Sequence, residues 1–254
     1  MDSKLELFAG IDDATKCPCI GSIFIAGVVA DERLLKLWKD KGVKDSKLLS
    51  RKKRDELDRL IRQSAPETTI RHIPPHEIDD KSLNLNSWEM VAFLKLLRNL
   101  YRKQPFAKAI VDNWEVSAEL FFKRLELLTG KDMIPLLLEK GISIPKRLHR
   151  SIKIYPEHQA DENHVVVGAA SILARAASDR QYDRYRKTYG DFGSGSPGDP
   201  KTRMYVWNNR HNPTPIIRQS WNTFKTLSRL ESIEDDYWYR KKNGVRKRQP
   251  RPKC

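Results

Sequence analysis

Short apolar runs of strand length alternate along this chain with longer segments of helical period, and that alternation confines it to an α/β arrangement. Residues 5–11 and 20–29 read as neighbouring strands joined by a polar link. Ser50 is placed to cap a helix reaching Arg62, with Leu57, Leu60 and Ile61 at helical spacing. Ser87 is expected to open another, where Trp88, Val91, Leu94 and Leu97 recur. Residues 107–111 form a short buried strand, and 117–128 a helix stopped by Gly130. The stretch 131–150 mixes apolar and basic residues with two prolines and reads as an excursion from the core. Residues 151–155 alternate as a strand does. A long Ala-rich helix follows from about Val165 to Tyr189, closed by Gly190, and 193–200 must be a loop.

Size and charge narrow the function. The 254 residues allow one large domain or a domain with an appendage, and 39% apolar residues suffice for a core. The formal charge is +15, of which residues 231–254 carry +4 and the body +11. A body with that excess gathers polyanions, nucleic acid before acidic lipid, unless the charge serves solubility alone. No apolar stretch is long enough for a membrane span, and no leader pattern opens the chain. A cytoplasmic or nuclear setting, with no secretion, is expected. Three cysteines support no disulfide framework, and Cys17-Pro18-Cys19 has too few partners for a closed zinc site.

The acids are placed with more purpose. Asp12-Asp13 stand where the first strand is expected to emerge into a loop, and adjacent carboxylates repel unless a cation lies beside them. An ordinary polar turn is the alternative. Asp112 ends a later strand, and Asp161 lies between the 151–155 strand and the long helix. Functional residues of α/β sheets gather beyond strand ends, so the three points could converge. Several carboxylates on hard divalent ions, one activating water and one stabilising the leaving oxygen, are what phosphodiester hydrolysis needs, and magnesium suits the task.

At this point the residues resemble the ribonuclease HII family. Gly10-Ile11-Asp12-Asp13-Ala14, Lys44-Asp45-Ser46-Lys47, Asn84-Leu85-Asn86, Val111-Asp112, Ala160-Asp161, Ala169-Ala170-Ser171-Ile172-Leu173-Ala174 and Ser178-Asp179-Arg180 occur in its order. The later pieces, Asp191-Phe192-Gly193-Ser194-Gly195, Asp199-Pro200-Lys201-Thr202 and Ser220-Trp221-Asn222-Thr223, resemble its archaeal and eukaryotic branch. The likeness runs from about Phe8 to Leu227. It implies an RNase H-like fold, a mixed sheet flanked by helices, with a small helical C-terminal part over about 191–230. A catalytic domain of 1–230 would then precede a basic, disordered tail of 231–254. It also implies endonucleolytic cleavage of the RNA strand of RNA–DNA hybrids with Mg²⁺ or Mn²⁺, two ions, and no small-molecule cofactor. By motif, Asp12, Asp13, Asp112 and Asp161 would be the catalytic metal-binding acids. Ser46 and Lys47 would hold backbone phosphate, and Asn84 or Asn86 would position the strand. A helix-preceding loop and a turn are the alternatives for these residues.

Asp179 is expected in a structural ion pair, because the rise of the long helix carries it roughly 24 Å from Asp161. His158 and His164 flank Asp161, but the other candidate ligands are carboxylates, which argues against zinc. The Ala169–Ala174 face is expected to serve close helix–sheet packing. Trp88, Trp221 and Phe224 are expected in the core.

The departures bear on substrate. The family has Asp-Glu at the first pair, then Ala and a Gly-Arg-Gly turn; here Asp13 is one methylene shorter and Thr15-Lys16-Cys17 replaces the turn. The family's turn presents backbone groups to the ribose 2′-hydroxyl at an RNA–DNA junction, the kind of contact that separates RNA from DNA. Losing the glycines is expected to remove positive-φ options. Where the family has Gly-Tyr-Pro, whose tyrosine stacks under the junction sugar, this chain has Ser196 between Gly195 and Pro197. Thr15, Lys16 and Ser196 would therefore contact substrate differently. Incision at single ribonucleotides is expected to be reduced or lost while duplex binding persists. The alternatives are a weak or inactive homologue that binds hybrid or structured nucleic acid, or another nuclease or recombination protein on this scaffold.

Overall fold

β-branched and small residues shape the middle of the sheet. In the computed structural model, which describes residues 6–139 and 152–242, the eight residues of β2 (Ile23–Ala30) are all buried, as in a strand covered on both faces. The other strands are β1 (Phe8–Ala14), β3 (Glu67–Ile73), β4 (Lys108–Asp112) and β5 (Lys153–Glu157), in the order β3-β2-β1-β4-β5. β1, β2 and β3 are antiparallel neighbours, while β4 runs parallel to β1 and β5 parallel to β4. The expected mixed sheet flanked by helices is therefore present.

Helices fill the connections: α1 (Glu32–Asp40), α2 (Arg51–Ser64), α3 (Pro75–Asp79), α4 (Leu85–Lys103), α5 (Ala118–Thr129), α6 (Ile134–Glu139), α7 (Ala160–Asn163), α8 (Val165–Tyr189), α9 (Pro200–Asn208), α10 (Asn222–Leu227) and α11 (Tyr237–Lys242). Ser50 caps α2 and Ser117 caps α5, as their sequences indicate. α4 begins at Leu85, two residues before the Ser87 expected to open it, because Asn84 supplies the capping oxygen.

Two compact units divide the chain. The first comprises 1–16, 22–73 and 80–180; the second comprises 17–21, 74–79 and 181–254. In the first, Phe8, Ala26, Val28 and Ala30 lie on the sheet face covered by residues of α2 and α8. The opposite face meets α4: a Cβ at Gly27 would strike the Leu96 and Leu100 side chains. Gly10 is required where β1 passes under α8, since a Cβ there would lie 2.3 Å from the Val166 carbonyl oxygen.

The second unit has its own core of Cys19, Ile20, Tyr182, Phe192, Val206, Ile216, Ile217, Leu227 and Ile233. Arg218, fully buried, donates from Nε to the Gly21 carbonyl at 2.7 Å. Trp221 and Phe224 pack at the margin of this core, and Trp88 is buried in the first unit.

Three boundaries need correction. β1 continues through Asp12 and Asp13 to Ala14, so the acids stand inside the strand; Asp12 pairs with Ala26 and Asp13 with Ile25, and β2 supplies a ladder partner for each. The helical C-terminal part begins at 181 and draws in two earlier segments, rather than starting near 191. The disordered tail expected over 231–254 is ordered as far as 242: a 3₁₀ turn (Ile233–Asp235) leads into α11, with Asp236 buried in an ion pair with Arg203. The rest of that tail, 243–254, and residues 140–150 of the 131–150 excursion lie outside the described residues. Among the described residues no helix is long and apolar enough to cross a membrane.

Candidate active site

β1, β4 and α7, all in the first unit, carry the four acids. The pleat sends successive residues of β1 to opposite faces. Asp12 shares the face of its partner Ala26, which α8 covers, and Asp13 points with Ile11 toward α4. Asp112 ends β4, where its Oδ1 accepts the Ala160 N–H at 2.9 Å. That bond ties the end of β4 to the first turn of α7, whose second residue is Asp161. Asp161 is buried, and Lys47 Nζ lies 3.3 Å from its Oδ2.

These groups lie within electrostatic reach of one another. Burial holds Asp12 well above the ordinary carboxylate range, and the charges of Asp13, Asp112 and Asp161 add to the shift; a hydrogen bond from Ser171 works against it. Burial lifts Asp13 to about 6, with Asp112 and Asp161 adding and Lys16 and Lys47 opposing. Asp112 is raised by burial and by Asp161, against the Ala160 hydrogen bond. Burial draws the Lys47 ammonium down, but Asp161 and Asp45 outweigh it and the pKa rises. Carboxylates that destabilise one another's charge are the chemistry a divalent cation relieves, and an all-oxygen donor set suits a hard ion. The donor set fits such an ion. The side chains do not stand as a closed cage, however: among the described residues no three His, Cys, Asp or Glu form a group that could hold a metal as placed. Divergence of Asp12 and Asp13 across the sheet accounts for part of that.

The other expected contacts fall out unevenly. Lys47 is 76% exposed along its side chain, so its ammonium can face a substrate phosphate while touching Asp161. Ser46 is turned inward instead. Its hydroxyl lies 2.8 Å from that of Ser171, which donates to Asp12, so Ser46 closes a hydroxyl chain behind the acid. Ser171 therefore does more than the packing expected of it. Asn84 caps α4 through the Ser87 N–H and accepts from Arg124, which leaves it a structural part. Asn86 accepts from Lys16 Nζ at 3.2 Å. Asp179 is paired with Arg54 at 2.8 Å. His158 meets the Val116 carbonyl and His164 the Glu157 carboxylate.

The turn after the acids holds a surprise. Thr15 adopts φ +67°, so the left-handed conformation persists without a glycine. A β-branched residue there costs roughly 1–2 kcal/mol, offset in part by its hydroxyl donating to the Ser22 carbonyl at 2.8 Å. Ser196 belongs to the second unit, where it is exposed and its Oγ accepts the Gly198 N–H. Glu89 was missed altogether. It is fully buried on α4 and takes Lys16 Nζ at 2.7 Å on Oε2. The signal was present: Glu89 is the one charged residue between Ser87 and Leu94, inside an apolar run.

Known proteins resemble this chain over most of its length. The profile of the family described as Ribonuclease HII matches residues 9–224. The chain is 35% identical over 239 residues to Ribonuclease HII of Methanococcus maripaludis, covering 92% of this chain and 90% of that protein. It is 36% identical over 228 residues to Ribonuclease HII of Pyrococcus furiosus, covering 89% and 92%. The solved ribonuclease H2 from Pyrococcus horikoshii OT3 superposes with a TM-score of 0.71 at 27% identity, over 87% of this chain and 97% of that one.

Proposed function

The chain belongs to the ribonuclease HII family and is a ribonuclease H-type endonuclease, and from that premise we propose that it hydrolyses the RNA strand of RNA–DNA hybrids at the acidic cluster, with weakened reading of single-ribonucleotide junctions. The observation that carries the reading is the mutual electrostatic reach of Asp12, Asp13, Asp112 and Asp161 in a chain of net charge +15. The charge brings the polyanion, and the acids offer its phosphate a metal-bearing centre.

Asp12, Asp13, Asp112 and Asp161 would hold Mg²⁺ or Mn²⁺, which supplies Lewis-acid stabilisation of phosphoryl charge and an activated water. The chain's own groups do the positioning. Ser171 orients Asp12, the Ala160 N–H fixes Asp112, and Lys47 holds Asp161 while presenting its ammonium outward. A phosphate drawn toward Lys47 would lie beside these carboxylates, with the scissile bond in their reach. Junction reading is weakened because a threonine side chain occupies the turn that the family leaves bare, and Ser196 offers no stacking face.

The test is cleavage of a continuous RNA–DNA hybrid, with Mg²⁺ or Mn²⁺, by the wild type and by Asp112→Asn. The wild type is expected to cut the RNA strand. Asp112→Asn is expected to lose on the order of 10³-fold in rate with unchanged folding, as removal of several kcal/mol of charge stabilisation implies. Retained binding with no cleavage by the wild type would contradict the proposal.

A further inference from the structure

A buried carboxylate with one satisfied oxygen needs a reason to exist. Glu89 has no exposed surface, and burial together with the charge of Asp13 pushes its carboxyl up to about 8, against the pull of Lys16. Its Oε2 is held by Lys16 Nζ at 2.7 Å, while Oε1 has no hydrogen-bond partner among the described residues. An apolar side chain would serve the packing of α4 at lower cost, since a half-satisfied buried polar group is worse than none. Such local inconsistency marks a position kept for function.

The partner explains the position. Lys16 stands at the centre of the Thr15-Lys16-Cys17 turn, where the family's Gly-Arg-Gly has its arginine, one residue after the left-handed Thr15. Its stem bridges from that turn to α4, where Asn86 and Glu89, three residues apart and so on one helix face, both accept from its ammonium. Lys16 remains 31% exposed, and its charge acts on Asp13. A free surface lysine sweeps a wide volume at considerable side-chain entropy. This one is pinned next to the acids.

We propose that Glu89, with Asn86, is a positioning residue that fixes the Lys16 ammonium as a backbone-phosphate contact, so that this turn, which has lost both flanking glycines, grips the substrate strand through a pinned side-chain charge. The inference rests on the reading of the chain as a hybrid-directed nuclease. Glu89 acts only through Lys16, so its effect must vanish when Lys16 is already gone.

The measurement is the Kd for a labelled continuous RNA–DNA hybrid duplex by fluorescence anisotropy, at several salt concentrations, for the full chain. Lys16→Met, Glu89→Gln and Lys16→Met/Glu89→Gln are compared. Lys16→Met is expected to weaken binding about fivefold and to flatten the log Kd–log salt slope by about one phosphate contact. Glu89→Gln is expected to weaken binding about threefold, and the double variant to match Lys16→Met alone. Steady-state cleavage should show the same losses in KM with kcat nearly unchanged. Asn86→Ala, at a less buried position, should repeat the pattern more weakly and covers the case in which Glu89→Gln does not fold. Independent, additive losses from Lys16 and both α4 residues would overturn the inference while leaving the proposed function standing. Absence of hybrid binding by the wild type would overturn both.

Discussion

Asp12 and Asp13 are neighbours in the chain and opposites in their surroundings. Asp12 lies on the α8 side of the sheet, nearly inaccessible, with Ser171 and Ser46 lined up behind it. Asp13 lies on the α4 side, is less covered, and shares its surroundings with Lys16 and Glu89. One acid is built into a rigid hydroxyl-backed seat, and the other into a field of charges of both signs. On the proposed reading, the side facing α8 carries the hydrolytic arrangement that the family resemblance implies. The side facing α4, together with the turn that follows, is where this chain has been rebuilt.

The largest effect that could break this comparison is on rate. Asp12→Asn is expected to lower hybrid cleavage on the order of 10³-fold, and Asp13→Asn only on the order of 10²-fold, because Lys16 and Glu89 already share the field around the second acid. Equal losses would mean that the two faces contribute alike. Single-turnover rates at saturating enzyme separate the outcomes.

A stability measurement sharpens it next. The folded-state carboxyl of Asp13 sits at about 6, above its ordinary 3.8, so the fold prefers it protonated. Its stabilising contribution is full below the unfolded pKa and is lost as pH rises through 6. In metal-free protein at pH 7.5, Asp13→Asn should therefore raise stability by about 2 kcal/mol, seen as roughly 5 °C in thermal midpoint. That gap should close as pH falls from 6.5 to 4.5. A gap independent of pH would remove the charge from the explanation.

Smaller effects follow from the arm and the turn. Asp13→Glu is expected to raise the hybrid cleavage rate about threefold by restoring reach, under 1 kcal/mol of barrier. A lower rate would show that the α4 face has adapted to the shorter acid. Thr15→Gly relieves left-handed strain but loses the bond to the Ser22 carbonyl and frees the unfolded chain. The terms nearly cancel, and the thermal midpoint should move by less than about 3 °C.

Much of this was legible in the sequence, and the misses have physical causes. The long helix was readable because its Ala-rich run and the Gly190 that closes it agree with each other, and Asp112 and Asp161 stood out as candidates because chemistry collects at strand ends. β1 was read too short because aspartate is a poor strand former alone, yet β2 supplied a ladder partner for both acids. β3 went unread: Glu67–Ile73 is polar and lies at the sheet edge, so it lacks the apolar signature of a central strand. Ser171 hid in an alanine run that reads as packing, and Glu89 drew no reading because a single charge on a helix has no fixed partner in sequence. No periodicity reveals which buried polar group another element will meet.

The claim at the centre of this account is a hydrolytic centre kept and a junction reader changed. The most direct measurement is the ratio of kcat/KM for a continuous RNA–DNA hybrid to that for a DNA duplex carrying one embedded ribonucleotide, with the wild-type chain and a single metal. The expected ratio favours the continuous hybrid by about tenfold or more, near 1.4 kcal/mol of lost junction contact. Equal efficiency, or faster incision at the single ribonucleotide, would contradict it.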